Sequence, residues 1–135
     1  MTKEQLKRYR SMELERWQLR ELLARMEAEM YAPKVQQLTG MPSAPSKTDH
    51  RMDALVERHD ALRAKYWHLV DALTVQLGEI EAAIDVLPPL ERTLIRARYV
   101  EGLSWEAVCV KIGYSWQQTH RIHARALKML EEGKE

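Results

Sequence analysis

Phenylalanine is absent from this chain of 135 residues, and cysteine, glycine and proline are scarce, at one, five and five residues. Because Cys109 is the single cysteine, a disulfide within the chain is excluded and a thiolate zinc site would lack ligands. The low glycine and proline content, beside abundant Leu, Ala, Glu, Arg, Lys, Gln and Met, favours helices over strands. We therefore predict an all-α fold.

Long apolar segments and catalytic motifs are also missing. The sequence contains no run of eighteen uncharged apolar residues, and its start, MTKEQLKRYR, does not resemble a signal peptide. It has no nucleophile–base pattern and no glycine-rich phosphate loop, and its acidic residues are dispersed along helical faces. We therefore expect a soluble cytoplasmic protein with no membrane partner, no catalytic residue and no cofactor.

A metal site is not expected either. His120 and His123 are three residues apart, a spacing that can place two imidazoles on one metal ion. However, neither an acidic residue nor a cysteine lies close to them in the sequence. A metal ion bound by the two histidines would therefore lack further ligands, and we predict no metal site.

The charge is small overall but unevenly distributed. The formal net charge is +1, with 13 basic against 14 acidic residues in residues 1–86 and 8 against 6 in residues 87–135. Between Ala107 and Leu130 there are four basic residues and no acidic one. This part of the chain therefore has the local basic character of a nucleic-acid-binding surface.

Two long amphipathic helices are predicted in residues 1–86, joined by a Pro/Ser linker at 32–50. Thr2 and Gln5 have the spacing of a capping box, and the first helix is expected to run to about Tyr31. Its apolar residues recur at intervals of three and four and include Tyr9, Met12, Leu19, Leu23, Met26 and Met30.

The second helix is predicted to start near Ser46 to Asp49 and to carry heptads from Met52 to Leu87, with His59 as a polar heptad position. Such a stripe is typical of a coiled coil, so residues 1–86 are predicted to serve oligomerisation, as a homodimer or a higher homo-oligomer. An antiparallel hairpin, a dimer and a four-helix bundle all remain compatible with it.

The first of three short helices predicted in residues 87–135 starts at a pair of prolines. Pro88 and Pro89 fit a first helical turn, where no amide donor is needed, and Gly102 can end the apolar segment that follows.

The next two helices form a predicted helix-turn-helix. Ser104 can cap a helix running from Trp105 to Ile112, Gly113 supplies the turn, and Ser115 with Gln118 forms a second capping box.

The final helix has an apolar and a polar face. Thr119, Ile122, Ala126, Leu127 and Leu130 recur at helical spacing and should face inward. The outward side offers amide groups suited to base edges and cations suited to phosphates. We therefore predict that double-stranded DNA is bound by Trp116, Gln117, Gln118, His120, Arg121, Arg125 and Lys128.

Residues 87–130 resemble region 4 of bacterial sigma factors without a gap. The matching positions are Leu87, Pro88, Glu91, Arg92, Arg98, Tyr99, Gly102, Leu103, Ser104, Glu106, Gly113, Ser115, Ile122, Arg125, Ala126 and Leu127. The resemblance implies a helix-turn-helix that binds promoter DNA, with Cys109 as a core residue between its two helices. It leaves RNA polymerase open as a further partner.

The remainder of the chain differs from sigma factors, because no segment resembles the region that melts DNA. Instead, the chain has a long helical N-terminal part, a Pro/Ser linker and a Gly-Tyr-Ser sequence followed by His120, Arg121 and His123. This combination resembles small phage-encoded transcription regulators of the RinA and ArpU type. The resemblance implies control of late or lysogeny-associated phage genes in a bacterial host cell. Two alternatives stay open, namely a phage DNA-packaging protein of the small terminase kind and a coiled-coil protein that binds RNA polymerase without contacting DNA.

Overall fold

The structure, a computed structural model, describes residues 1–32 and 45–133. Every regular element in these ranges is helical, which confirms the predicted all-α fold. The elements are α1 (Lys3–Tyr31), α2 (Pro45–Ile84), α3 (Pro89–Ile95), a π-helical segment (Arg96–Val100), α4 (Trp105–Ile112) and α5 (Trp116–Glu132).

The described residues form two compact units, of which the first combines residues 1–14 with residues 71–133 and the second combines residues 15–32 with residues 45–70. The start of α1 thus belongs to the same unit as the predicted helix-turn-helix. The assignment of residues 1–86 to oligomerisation stays a prediction.

Helix α1 begins with the predicted capping box. The Thr2 amide donates to Oε1 of Gln5 at 2.8 Å, and the Gln5 amide donates to Oγ1 of Thr2 at 3.3 Å. These reciprocal bonds satisfy amides that have no partner within the helix.

In the second unit, α1 and α2 run antiparallel. Oε1 of Glu27 lies 3.0 Å from Nε2 of the buried His59, whereas Glu15, earlier in α1, lies 3.7 Å from Lys65, later in α2. Three of the predicted α1 stripe residues are buried here, namely Leu19, Leu23 and Met26. The hairpin therefore forms within one chain, with His59 as a polar position in its apolar seam.

The core of the first unit is built from the ends of the long helices and the three short helices. Leu6 is fully buried, as are Ile84 and Leu94, and burial of each such side chain contributes about 1.5–3 kcal/mol. Further buried residues are Tyr9, Leu73, Ile80, Leu87, Ile95, Ala97, Tyr99, Val108, Ile122, Ala126 and Leu130.

Two predicted boundaries differ from the structure. The second helix begins at Pro45, one residue before the predicted start near Ser46 to Asp49. The predicted loop at 32–50 lies mostly outside the described residues, and its last part, residues 45–50, is helical rather than a loop. Proline is tolerated there because the first helical turn needs no amide donor. At its other end α2 stops at Ile84 rather than Leu87, since the chain turns before Pro88 and Pro89.

Among the helices of residues 1–32 and 45–133, none combines the length and the apolar character needed to cross a bilayer.

Candidate nucleic-acid interface

The predicted helix-turn-helix is formed by α4, a three-residue turn and α5. Oγ of Ser104 accepts a hydrogen bond from the Ala107 amide at 3.2 Å, and Oγ of Ser115 accepts one from the Gln118 amide at 3.3 Å. Both serines therefore cap their helices as predicted. In the turn, Gly113 has a φ of +74°, a left-handed conformation that favours glycine.

Helix α5 has one buried face. Thr119 and Ala126 are fully buried, and Ile122 and Leu130 are nearly so. Leu127 is half-buried. The five residues predicted to face inward therefore do so, and the opposite face is fixed toward solvent by the helical period.

The predicted DNA-contacting residues are mostly on that solvent face. The exposed ones are Trp116, Gln117, Gln118, Arg121, Arg125 and Lys128. Gln117, Arg121, Arg125 and Lys128 follow one another at intervals of four, four and three, which places them along one side of α5. The structure thus arranges amides at the start of the helix and cations further along it.

The cations of α5 differ in their surroundings. Nη1 of Arg125 lies 3.6 Å from Oε1 of Glu91, whose side chain is almost completely buried in α3. Within the described part of the chain, Arg121 and Lys128 have no such acidic neighbour. Arg125 is therefore partly neutralised, whereas the other two are available to a ligand.

His120 is not on the open solvent face. Its ring is half-buried, and the ring centroid lies 4.5 Å from that of Trp105 and 4.7 Å from that of Trp116. The His120 ring therefore fills the space between two tryptophans. Within the described residues its Nε2 atom is buried without a hydrogen-bond partner. The outward orientation predicted for His120 is therefore wrong, because the ring packs on aromatic surface supplied by the start of α4.

Trp105, the first residue of α4, is the centre of this aromatic cluster. The guanidinium of Arg98 lies 4.7 Å from its ring centroid, a cation–π distance, and the His123 ring lies 4.6 Å away at 73°. Arg98 also donates to the carbonyl of Leu103 at 2.9 Å. The cluster thereby ties the π-helical segment to both helices of the helix-turn-helix.

His123 is a structural residue that the sequence analysis did not place in the core. Its ring is 7% exposed, and its Nε2 lies 2.7 Å from the hydroxyl of Tyr99, which is also buried. Burial, together with the positive charges of Lys3, Arg98 and Lys7 and the neighbouring His120, lowers the pKa of His123 to about 4. At neutral pH the ring is therefore uncharged and can accept the Tyr99 hydroxyl hydrogen.

Burial also raises the pKa of the Tyr99 phenol, with Glu4 acting in the same direction and Arg98 opposing it. Both partners are thus held in their neutral forms, as a buried polar pair requires. A local signal for this pair is lacking, because its two residues are 24 positions apart.

The described residues contain no group of three or more His, Cys, Asp or Glu side chains arranged to hold a metal ion. His123 instead bonds to Tyr99, and His120 packs between tryptophans. Cys109 is a free, half-buried thiol in α4.

Comparison with protein families matches residues 83–132 to the family described as Sigma-70, region 4. The comparisons with curated proteins and with solved structures gave no match. The matched range covers α3, the π-helical segment, α4 and α5, and it includes both serine caps, the Gly113 turn and the buried face of α5. Residues 83–132 are thus similar to region 4 of sigma-70 factors, and within them α4, the turn and α5 form a helix-turn-helix.

Proposed function

We propose that this protein is a sequence-specific regulator of transcription that binds double-stranded promoter DNA with α5. The observation that carries the proposal is the solvent face of α5, with exposed amides at its start and exposed cations beyond them, in a domain similar to sigma region 4. A helix with these properties fits the major groove of B-DNA.

Different parts of α5 have different roles in this proposal. Gln117, Gln118 and Arg121 lie in the first two turns, which in helix-turn-helix proteins enter the major groove most deeply. Arg125 and Lys128 lie one and two turns later, where the helix passes a phosphate strand. Gln118 is the weakest member, because its place in the capping box predicted with Ser115 would account for this residue without any base contact.

Trp116 and His120 act as a pair. The Trp116 ring is 53% exposed and rests on His120, so its outer face is available to DNA sugars or thymine methyl groups. His120 contributes by supporting this tryptophan.

The proposal is tested by measuring DNA binding. A mobility shift with fragments of the surrounding genome identifies the fragment that is bound best, and fluorescence anisotropy then gives the affinity for that fragment. Arg121→Ala should cost about 1–3 kcal/mol on the specific site and little on random DNA, since a base contact is lost. Lys128→Ala should weaken both kinds of DNA similarly and make the salt slope shallower by roughly one unit. Equal proportional losses on both DNAs for both folded variants would contradict the assigned roles.

We further propose that the gene regulated is a phage or prophage gene. The support is the resemblance of the helical N-terminal part, the linker and the Gly-Tyr-Ser sequence with His120, Arg121 and His123 to RinA- and ArpU-type regulators. RNA polymerase is a second partner in this proposal, in keeping with the similarity to sigma region 4.

Sedimentation equilibrium together with the mobility shift separates the alternatives. Rings of eight or more subunits in solution would favour a DNA-packaging protein of the small terminase kind. Absence of any DNA shift would favour a coiled-coil protein that binds RNA polymerase alone.

A further inference from the structure

A basic groove of about 580 Å³ lies in the first unit, outside the face of α5. One wall is the start of α1, with Lys3, Lys7 and Arg10, and the other includes Arg98 and Trp105. Four cations thus line a single open cavity.

The α1 cations share one side of their helix, because Lys3, Lys7 and Arg10 are separated by four and three residues. Within the described residues none of the three forms a hydrogen bond or an ion pair, and no acidic side chain lines the groove. Arg8, on the same helix, lines a different cavity together with Gln76. The groove therefore concentrates positive charge that the protein itself does not neutralise.

The two walls of the groove meet where Arg10 packs against the backbone of Gly102. This residue has a φ of +74°, and a Cβ atom added to it would overlap the guanidinium of Arg10. Arg10 therefore rests directly on the chain between the π-helical segment and α4, where only glycine leaves room for it.

The groove continues the surface that starts at α5. Trp116 contacts His120, His120 contacts Trp105, and Trp105 lies under Arg98, each at 4.5–4.7 Å. The groove also borders the N-terminal end of α4. In helix-turn-helix proteins the first helix of the motif crosses the DNA backbone, while the second enters the major groove.

We propose that this groove binds the phosphate backbone of the DNA whose bases α5 contacts, so that the first turns of α1 extend the DNA interface beyond the helix-turn-helix. The proposal rests on the proposed function. Phosphates carry no sequence information, so the groove contributes affinity and orientation rather than specificity.

Salt-dependent binding by the full chain tests this. Lys3→Ala with Lys7→Ala removes two groove cations, and the matched control, Arg8→Ala with Arg20→Ala, removes two exposed cations of α1 that lie outside the groove. The groove variant should lower affinity for specific and random DNA by the same factor and make the slope of log K against log salt shallower by roughly two units. The control should leave the slope close to that of the wild type.

Ethylation interference on the specific site locates the contact. Ethylation of certain phosphates should impair binding of the wild type and of the control, but not of the groove variant. The Lys128→Ala variant should become insensitive to ethylation at a different set of phosphates.

A groove variant with the slope and interference pattern of the control would overturn the inference and leave DNA binding by α5 intact. A wild-type chain that binds no DNA would overturn the proposed function, and the inference with it.

Discussion

Acidification should destabilise the first unit through His123, and the size of the effect follows from its surroundings. The pKa of a histidine is 6.5 in the unfolded chain and about 4 in this buried site. The folded state binds this proton less tightly than the unfolded state does. The neutral His123 ring therefore makes its full contribution to the free energy of unfolding above pH 6.5, and this contribution is lost as the pH falls toward 4. At 1.36 kcal/mol per pKa unit the full loss is about 3 kcal/mol, of which about 2 kcal/mol appears between pH 7.5 and 5.

Urea unfolding at both pH values isolates this contribution when the wild type is compared with His123→Gln. Carboxylates titrate in both proteins, so their effect cancels in the difference between the two pH dependences. The wild type should lose about 2 kcal/mol more than the variant over this range. His68→Gln, which removes an exposed histidine, should behave like the wild type.

Titration of the imidazole protons of the folded wild type by NMR provides a direct measurement that does not need the variant to fold. The His123 signal should titrate well below the ordinary histidine pKa of 6.5. A His123 midpoint close to 6.5, or parallel pH dependences of stability for wild type and His123→Gln, would refute the reasoning from burial.

Four further outcomes are expected. Ser115→Ala should lower the free energy of unfolding by about 1 kcal/mol in urea, because it removes the cap of α5; an unchanged value would show that the bond at 3.3 Å contributes nothing. Gly102→Ala should destabilise by about 1–2 kcal/mol by the same assay, since an L-residue is strained at positive φ; a neutral effect would contradict that geometry. Glu91→Gln should release Arg125 and steepen the salt slope of DNA binding by up to roughly one unit, whereas a shallower slope would contradict the role of the ion pair. Sedimentation equilibrium should show a dimer or higher oligomer, because Trp17 and Trp67 of the second unit remain about half exposed, at 54% and 53%; a monomer at tens of micromolar would exclude this.

The helix-turn-helix could be predicted closely because its signals are local. Ser104 and Ser115 each lie immediately before a helix and bond to an amide three residues on, and Gly113 supplies the left-handed turn. Such caps and turns depend on neighbouring residues alone, so sequence spacing is sufficient to locate them.

The environment of single side chains was less predictable, because it depends on contacts between distant parts of the chain. Leu6 is fully buried although the predicted α1 stripe began at Tyr9, since the first turns of α1 pack in the first unit. His123 is buried by Tyr99 and Trp105, and His120 by Trp105 and Trp116. A histidine within a basic helix resembles a surface residue until its aromatic neighbours are known.

The positive charge that is available to DNA is therefore not distributed as the sequence pattern predicts. The acid-free stretch from Ala107 to Leu130 has four basic residues, but Lys111 pairs with Glu101 at 2.7 Å and Arg125 lies beside the buried Glu91. The two α5 cations assigned to phosphates, Lys128 and the partly neutralised Arg125, would give a salt slope of at most about −2 per chain, which is shallow for a DNA-binding protein. Four groove cations contacting phosphates as well would bring it to about −5, so most of the electrostatic affinity would come from outside the recognition helix.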